Sequence, residues 1–300
     1  AWKIKGFDMA DEVTPGMKQK DFWKSELEAA EKRQKSFWKT GVDVTDRFLD
    51  MRGDEGAQTA GRSNTSRLNL FHANVTTQMA MLYGRVPEID VSRRFADAGD
   101  DVGRVAAEMM QRILSAPVEE PGSNEKDVLR ATLQDRLLPG LGQARVRYDF
   151  TTGKETAEEM DENQEMQTTE YEVMENEEGI VDYVHWKDFL WGHAHTWKGV
   201  PWVGFKAYIT KPDATARFGA SIANQLQYST YEKSDENKDP DLAHPWGRAE
   251  IVEIWNKMDR KVYWYSKDYD QLLDTKLDPL KLQGFFPCPE PMAANTTTRL

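Results

Sequence analysis

Three histidines fall close together in the second half of the chain, and histidine is a common zinc ligand. His193 and His195 are separated by one residue, so on a strand both side chains would face the same way, and His185 precedes them. A zinc site needs further ligands at a characteristic spacing, and none accompanies this group. The flanking Trp191 and Trp197 favour a loop packed with aromatic rings instead, so no metal ion is expected.

The other reactive groups fit none of the common enzyme patterns. Cys288 is the only cysteine, has no disulfide partner and is expected to be a buried, unreactive thiol. Gly140-Leu141-Gly142 lacks the third glycine of a dinucleotide-binding loop and precedes a strand, which predicts an ordinary helix-to-strand turn. Neither the nucleotide-phosphate loop Gly-x-x-x-x-Gly-Lys-Ser/Thr nor the serine-hydrolase turn Gly-x-Ser-x-Gly occurs. We therefore expect no catalytic residue, no cofactor and no enzymatic activity.

The negative charge of the chain is concentrated in one segment. The formal net charge is −12, and residues 155–182 contain twelve acids and no lysine or arginine, so the rest of the chain is neutral. Such a run is usually a solvated hairpin tip, but it would also repel DNA or contact a partner protein. The acids are Glu155, Glu158, Glu159, Asp161, Glu162, Glu165, Glu170, Glu172, Glu175, Glu177, Glu178 and Asp182.

Composition excludes several classes of protein. The mean hydropathy of −0.73 and the lack of a long apolar run predict no membrane-spanning segment, and the first residues lack the apolar core of a signal peptide. Overall acidity argues against wrapping nucleic acid, since each neutralised phosphate needs a lysine or arginine. The low cysteine content is typical of synthesis in a reducing cytoplasm.

The first half of the chain is predicted to be helical. Residues 18–39 place Trp23, Leu27, Ala30, Gln34 and Phe37 three or four apart, which is the spacing of one amphipathic helix. Three more helices follow. The second has the apolar stripe Leu68, Phe71, Val75, Met79 and Leu82, the third runs from Asp100-Asp101 through Val102, Val105, Met109 and Ile113 to Pro117, and the fourth spans about Ser123 to Leu138.

The second half is predicted to form strands. Apolar residues alternate with charged ones over 144–150 and again over 169–173, and if these strands pair, Arg145 and Arg147 could meet Glu170 and Glu172. Further strands are predicted at 180–186, 202–209, 249–257 and 261–266, with a short helix at 212–218 and a loop at 232–247. The predicted fold class is therefore α+β, with N-terminal helices followed by a mainly antiparallel β-sheet.

The order of several motifs resembles portal proteins of tailed double-stranded DNA bacteriophages, in particular the short-tailed, podovirus-type phages. These motifs are Leu82-Tyr83-Gly84-Arg85-Val86-Pro87 with Val91-Ser92-Arg93-Arg94, then His185-Trp186-Lys187-Asp188-Phe189-Leu190-Trp191-Gly192, Arg217-Phe218-Gly219, Glu253-Ile254-Trp255-Asn256-Lys257 with Lys261-Val262-Tyr263-Trp264-Tyr265, and Phe286-Pro287-Cys288-Pro289. The resemblance covers most of residues 70–300.

The resemblance implies a structural subunit of a ring, the head-to-tail connector, with twelve copies at one capsid vertex of the virion. Viral double-stranded DNA would be packaged and ejected through the ring. The implied partners are further copies of the chain, the major capsid protein, the terminase that hydrolyses the nucleotide, and tail adaptor proteins. Synthesis would take place in the cytoplasm of a bacterial host, with no membrane contact.

The resemblance also implies a division of the chain within the wing region of a portal subunit. Residues 1–62 would be a helical lead-in, 63–140 the helical part of the wing, and 141–284 its β-rich part with an acidic hairpin at 151–182. Residues 285–300 would form a proline-rich entry to a stem region that lies beyond this sequence.

Contacts between neighbouring subunits are expected among aromatic and basic residues. The candidates are Trp23, Trp38, Arg93, Arg94, Trp186, Trp191, Trp197 and Trp202. Tryptophan is enriched at interfaces, but the same residues would serve equally as protein core and, for the arginines, as a solvated face.

The sequence also fits two other functions. The ten tryptophans and many carboxylates would also suit a carbohydrate-active enzyme or a sugar-binding module, in which exposed rings stack on sugars. A tail adaptor protein of the virion is the other alternative.

Overall fold

The computed structural model describes residues 19–50, 69–85, 87–93, 99–119, 124–160, 166–229 and 247–293. Within these ranges, helices come first and antiparallel strands second, which confirms the predicted α+β class. The helices are α1 (Gln19–Phe48), α2 (Leu70–Leu82), α3 (Asp101–Glu119), α4 (Glu125–Leu137), α5 (Lys211–Phe218) and α6 (Ala220–Ala223). The strands are β1 (Leu141–Met160), β2 (Met166–Val184), β3 (Phe189–Trp191), β4 (Trp202–Thr210), β5 (Arg248–Asn256), β6 (Lys261–Tyr265), β7 (Asp274–Leu277) and β8 (Met292–Ala293).

A five-stranded antiparallel sheet in the order β3-β4-β5-β6-β7 forms the body of the protein. Its strands alternate between two buried faces, as period-2 side chains require. One face carries Trp202, Ile254 and Tyr263 and packs against α1. The other face packs against α5, α6 and the root of the β1–β2 hairpin, which is the end where β1 begins at Leu141 and β2 ends at Val184. The sheet is thus covered on both sides, which accounts for its high content of apolar residues.

The amphipathic pattern of α1 is confirmed, since Trp23, Leu27 and Ala30 are all buried against the sheet. The helix runs to Phe48, beyond the predicted end at residue 39. Gly41 lets this extension pass close to the Trp186 ring, since a Cβ there would lie 2.8 Å from that ring. The extension carries α1 to the helical layer, which is formed by α2, α3 and α4, and there Phe48 stacks on His72 of α2.

The acidic segment belongs to a long antiparallel hairpin formed by β1 and β2. The register places Arg145 opposite Asp182 and Lys154 opposite Glu172, so the predicted meeting of Arg145 and Arg147 with Glu170 and Glu172 is wrong. The strands pair over their whole length, which moves each arginine towards the far end of its partner strand. Twenty residues at about 3.3 Å each make β1 roughly 65 Å long.

A glycine turn joins α4 to this hairpin and confirms the ordinary turn predicted at residues 140–142. Gly140 has a φ of 96°, a left-handed conformation that favours glycine, and its N–H donates to the Asp135 carbonyl at 2.9 Å. Gly142 lies so close to α4 that a Cβ would stand 2.2 Å from the Thr132 carbonyl oxygen. The hairpin root therefore needs glycine to seat against α4.

Replacing Gly142 with alanine should destabilise the protein by about 2 to 3 kcal/mol, because α4 or β1 must move to admit the methyl group. The matched control is Gly179→Ala on β2, where a Cβ meets nothing within 4 Å; it should be neutral or slightly stabilising. Urea unfolding of both variants measures the change in unfolding free energy at each position. Equal effects at the two positions would contradict close packing of the hairpin root on α4.

Candidate assembly surfaces

Ion pairs fix the hairpin root to the five-stranded sheet. Arg145 on β1 reaches Asp182 of β2 at 3.5 Å and Glu253 of β5 at 3.4 Å, and Arg147 donates to Asp182 at 3.0 Å. Arg145, Asp182 and Glu253 are largely buried, so their pairs are less screened than surface ones. Charged contacts thus join the hairpin root to the five-stranded sheet.

On its other side, the hairpin root contacts α4 through a buried carboxyl group. The Tyr183 hydroxyl donates a hydrogen bond to Asp135. Burial raises the pKa of Asp135 to about 6, although hydrogen bonds from Tyr183 and from the Trp186 backbone partly oppose the shift. Burial likewise raises the pKa of Tyr183. This contact links α4, the hairpin and the loop that enters β3.

The twelve acids differ in their placement. Glu177 and Glu178 are exposed, whereas Asp182 is half-buried and pairs with both arginines of the root, so it belongs to the anchor and not to an open acidic surface. Six more lie on the paired strands: Glu155, Glu158, Glu159, Glu170, Glu172 and Glu175. Asp161, Glu162 and Glu165 lie outside the described residues.

The register has one irregularity within the acidic segment. Thr151 pairs with Asn176 but Thr152 pairs with Met174, which leaves Glu175 as an extra residue on β2. Such a β-bulge bends the strand and increases its twist. The outer part of the hairpin, which holds most of the acids, therefore leaves the root at an angle set by this bulge.

Three of the tryptophans predicted as subunit contacts are buried within the chain. Trp23, Trp186 and Trp202 belong to the core, with Trp23 only 2% exposed and its ring 5.9 Å from that of Trp202. They pack within this chain, which is the core alternative that the sequence left open.

The remaining predicted contacts lie closer to solvent. Trp38, Trp191 and Trp197 are half-buried, and Arg93 donates to the Asp100 carbonyl at 2.8 Å. Arg94 lies outside the described residues. Trp191 and Trp197 lie beside the same ring, with centres 5.3 Å and 6.4 Å from that of Phe189.

Charged residues of α1 hold the helix in register on the sheet. Lys206 of β4 lies 2.6 Å from Glu31, and the Trp202 indole donates to Glu26 at 3.0 Å. Burial opposes ionisation of Glu31, but the hydrogen bond and charge of Lys206, with help from Lys267, outweigh it and hold the pKa of Glu31 below its usual value. The contact combines apolar packing with a partly buried ion pair.

The histidines and the cysteine lie in different surroundings. His193 and His195 are exposed with ring centres 5.7 Å apart, and across the described ranges no three potential metal-binding side chains come together. Cys288 is buried as predicted, and burial raises the pKa of its thiol to about 12. The Gln143 amide, itself buried, donates to the Pro289 carbonyl at 3.2 Å, so this segment packs on β1.

One surface feature was not predicted from the sequence: α2 and α3 expose large apolar side chains. On α3 the stripe predicted from Val102 to Ile113 faces solvent, with Val102 81% exposed. On α2 only Val75 is buried, and Met81 is 79% exposed. The sequence signal was present, since α2 contains no Asp, Glu, Lys or Arg and carries large apolar residues at both ends, and such residues are normally covered.

Among the helices that the structure describes, none combines the length and apolar character needed to cross a bilayer. The sequence matches no protein-family model, and no curated protein is similar enough to it to count as a relative. The surfaces and motifs of the chain itself therefore carry the functional assignment.

Replacing Asp135 with asparagine should change how stability depends on pH. The folded-state pKa of about 6 exceeds the ordinary 3.8, so the native protein retains the proton more tightly and its stability falls as pH rises between these values. Asparagine cannot ionise at this position. The unfolding free energy of the variant minus that of wild type should therefore be about 1 to 2 kcal/mol larger at pH 7.5 than at pH 4. Urea unfolding at both pH values tests this; Asp43→Asn, at an exposed site on α1, is the control and should show no such difference.

Trp23→Ala should destabilise the isolated chain by about 3 to 5 kcal/mol, because it removes a fully buried ring between α1 and the sheet. Lys24→Ala, at the next and exposed position, should have little effect. Thermal unfolding at a protein concentration low enough to suppress self-association measures both. If Trp23→Ala altered assembly but left unfolding unchanged, this tryptophan would be an interface residue after all.

Proposed function

We propose that this chain is a structural subunit of a viral portal, the ring at one capsid vertex through which double-stranded DNA is packaged and ejected. The observation that carries the proposal is the exposed apolar surface of α2 and α3. Exposed apolar patches of this kind mark sites of protein contact. A chain whose helical layer is incomplete alone, and whose sequence motifs resemble those of portals, fits a ring subunit.

The charge distribution supports the same function. A DNA conduit must let the duplex slide, and many lysine and arginine contacts to phosphate would hold it. The chain carries a net charge of −12, and residues 155–182, which span most of the β1–β2 hairpin, contain twelve acids and no lysine or arginine. If the hairpins of a ring face its axis, they keep DNA mobile by repulsion; if they face outward, they contact capsid or another basic partner.

In this proposal the subunit catalyses no reaction of its own. It supplies geometry, while the terminase hydrolyses nucleotide and the major capsid protein and tail adaptors bind its outer surfaces. The virion is its final location. The alternative of a sugar-binding module loses support from the burial of Trp23, Trp186, Trp202 and Trp264, since a stacking platform needs exposed rings.

Negative-stain electron microscopy of the purified chain should show closed rings with a central hole wide enough for duplex DNA, about 20 Å or more. Mass photometry should give one dominant assembly near twelve copies. Persistent monomers at every concentration, or open filaments, would contradict the proposal.

Co-expression with the major capsid protein distinguishes a portal from a tail adaptor. A portal subunit should be incorporated into shells as they assemble, at one ring per shell. An adaptor should form rings but stay outside empty shells, and that outcome would replace the proposal with the second alternative.

A further inference from the structure

The outward side of α2 is a shallow apolar trough. Ala73, Thr77 and Ala80 recur at intervals of four and three residues and are all exposed, so they form one face of small side chains. The Thr77 hydroxyl donates to the Ala73 carbonyl at 2.8 Å, which satisfies it within the helix and leaves a methyl group outward. Leu70 and Met81, both exposed, stand at the two ends of this trough.

The outward side of α3 is an apolar ridge. Val102, Val105, Met109 and Ile113 recur at intervals of three, four and four residues and are all exposed. Ridge and trough have the same length: Val102 to Ile113 and Leu70 to Met81 each cover eleven residue steps, about 16 Å at about 1.5 Å per residue. A ridge of large side chains packing into a trough of small ones is the usual way in which two helices meet.

Charge identifies the kind of partner that this surface accepts. The α2 helix contains no Asp, Glu, Lys or Arg, and Arg104 of α3 pairs with Glu108 at 2.8 Å and with Asp101 at 3.6 Å. Arg112 of α3 is exposed as well, so the four charges between Asp101 and Arg112 sum to zero and the surface has no net charge, which disfavours nucleic acid as a partner. Two copies of a chain with a net charge of −12 repel each other, so a surface without net charge is where they can approach most closely.

We propose that the α3 ridge of one copy docks into the α2 trough of the next copy, and that this contact joins the subunits of the ring. The contact is heterologous: each copy offers its ridge to one neighbour and its trough to the other. Repetition of such a contact closes into a ring when the rotation per copy is a fraction of a full turn. This inference rests on the proposed function for ring closure, but the contact between copies can be tested separately.

The test uses one acidic substitution on each side of the contact in the full chain. Met109→Asp places a charge on the ridge and Thr77→Asp places one in the trough, and each should weaken self-association at least about 30-fold, the effect of losing one interface hot spot. Phe285→Asp is the control, since Phe285 is a large apolar residue that is 78% exposed, compared with 59% for Met109, but lies in the loop after β7. It should assemble like wild type. Sedimentation velocity measures assembly, and circular dichroism of each variant verifies the fold.

Mixing the two variants tests the pairing itself. Met109→Asp keeps an intact trough and Thr77→Asp keeps an intact ridge, so an equimolar mixture should form heterodimers that grow no further. If each variant is monomeric alone and their mixture is monomeric too, docking of α3 on α2 is overturned. Wild-type assembly by either variant, or a wild-type chain that remains monomeric, would overturn it too.

The outcomes separate this inference from the proposed function. Closed rings that form equally well with Met109→Asp would refute the helix contact and leave the portal proposal standing. Heterodimers in the mixture, combined with wild-type chains that grow into open filaments, would support the contact and refute the ring.

Discussion

The packing of α1 across the five-stranded sheet is the contact on which the remaining structure depends. Trp23, Leu27 and Ala30 bury one face of the sheet, and that face also carries Lys206, whose partner Glu31 lies on α1. Burial of this apolar surface supplies most of the stabilisation, at about 25 cal/mol per Å². The ion pair adds little energy but fixes the register of the helix on the strands. With this body formed, the hairpin and the helical layer both have a rigid base.

The hairpin shows how a strongly acidic element is joined to a neutral body. At its root Arg145 pairs with Asp182 and Glu253, and Arg147 pairs with Asp182 and Asp149, so the charges nearest the core are compensated. Its outer part follows the β-bulge at Glu175 and carries most of the remaining acids. Because the acids at the root are paired with arginines and the remaining acids lie farther out on the hairpin, the protein carries this negative charge without unpaired carboxylates in its core.

The helical layer differs from the hairpin, because α2 and α3 expose large apolar side chains to solvent. On α3, Gly103, Ala107 and Gln111 are turned partly inward, while the large residues face solvent. A chain that folded to be complete alone would place those faces the other way. The protein therefore combines a sheet that is covered on both faces with helices that expose large apolar side chains, and this contrast is what the proposed assembly would explain.

The sequence by itself determined the α+β class, the four long helices, the glycine turn at residue 140 and the concentration of acids, since these depend on local spacing and composition. It did not determine β3, β7 and β8, which are too short for a period to be visible, or the partners of Arg145, because Glu253 is distant along the chain. Periodicity likewise showed that α3 has an apolar stripe but not which way the stripe faces. A stripe of this kind requires only that something cover it, and whether the cover is the same chain or another is decided by tertiary packing.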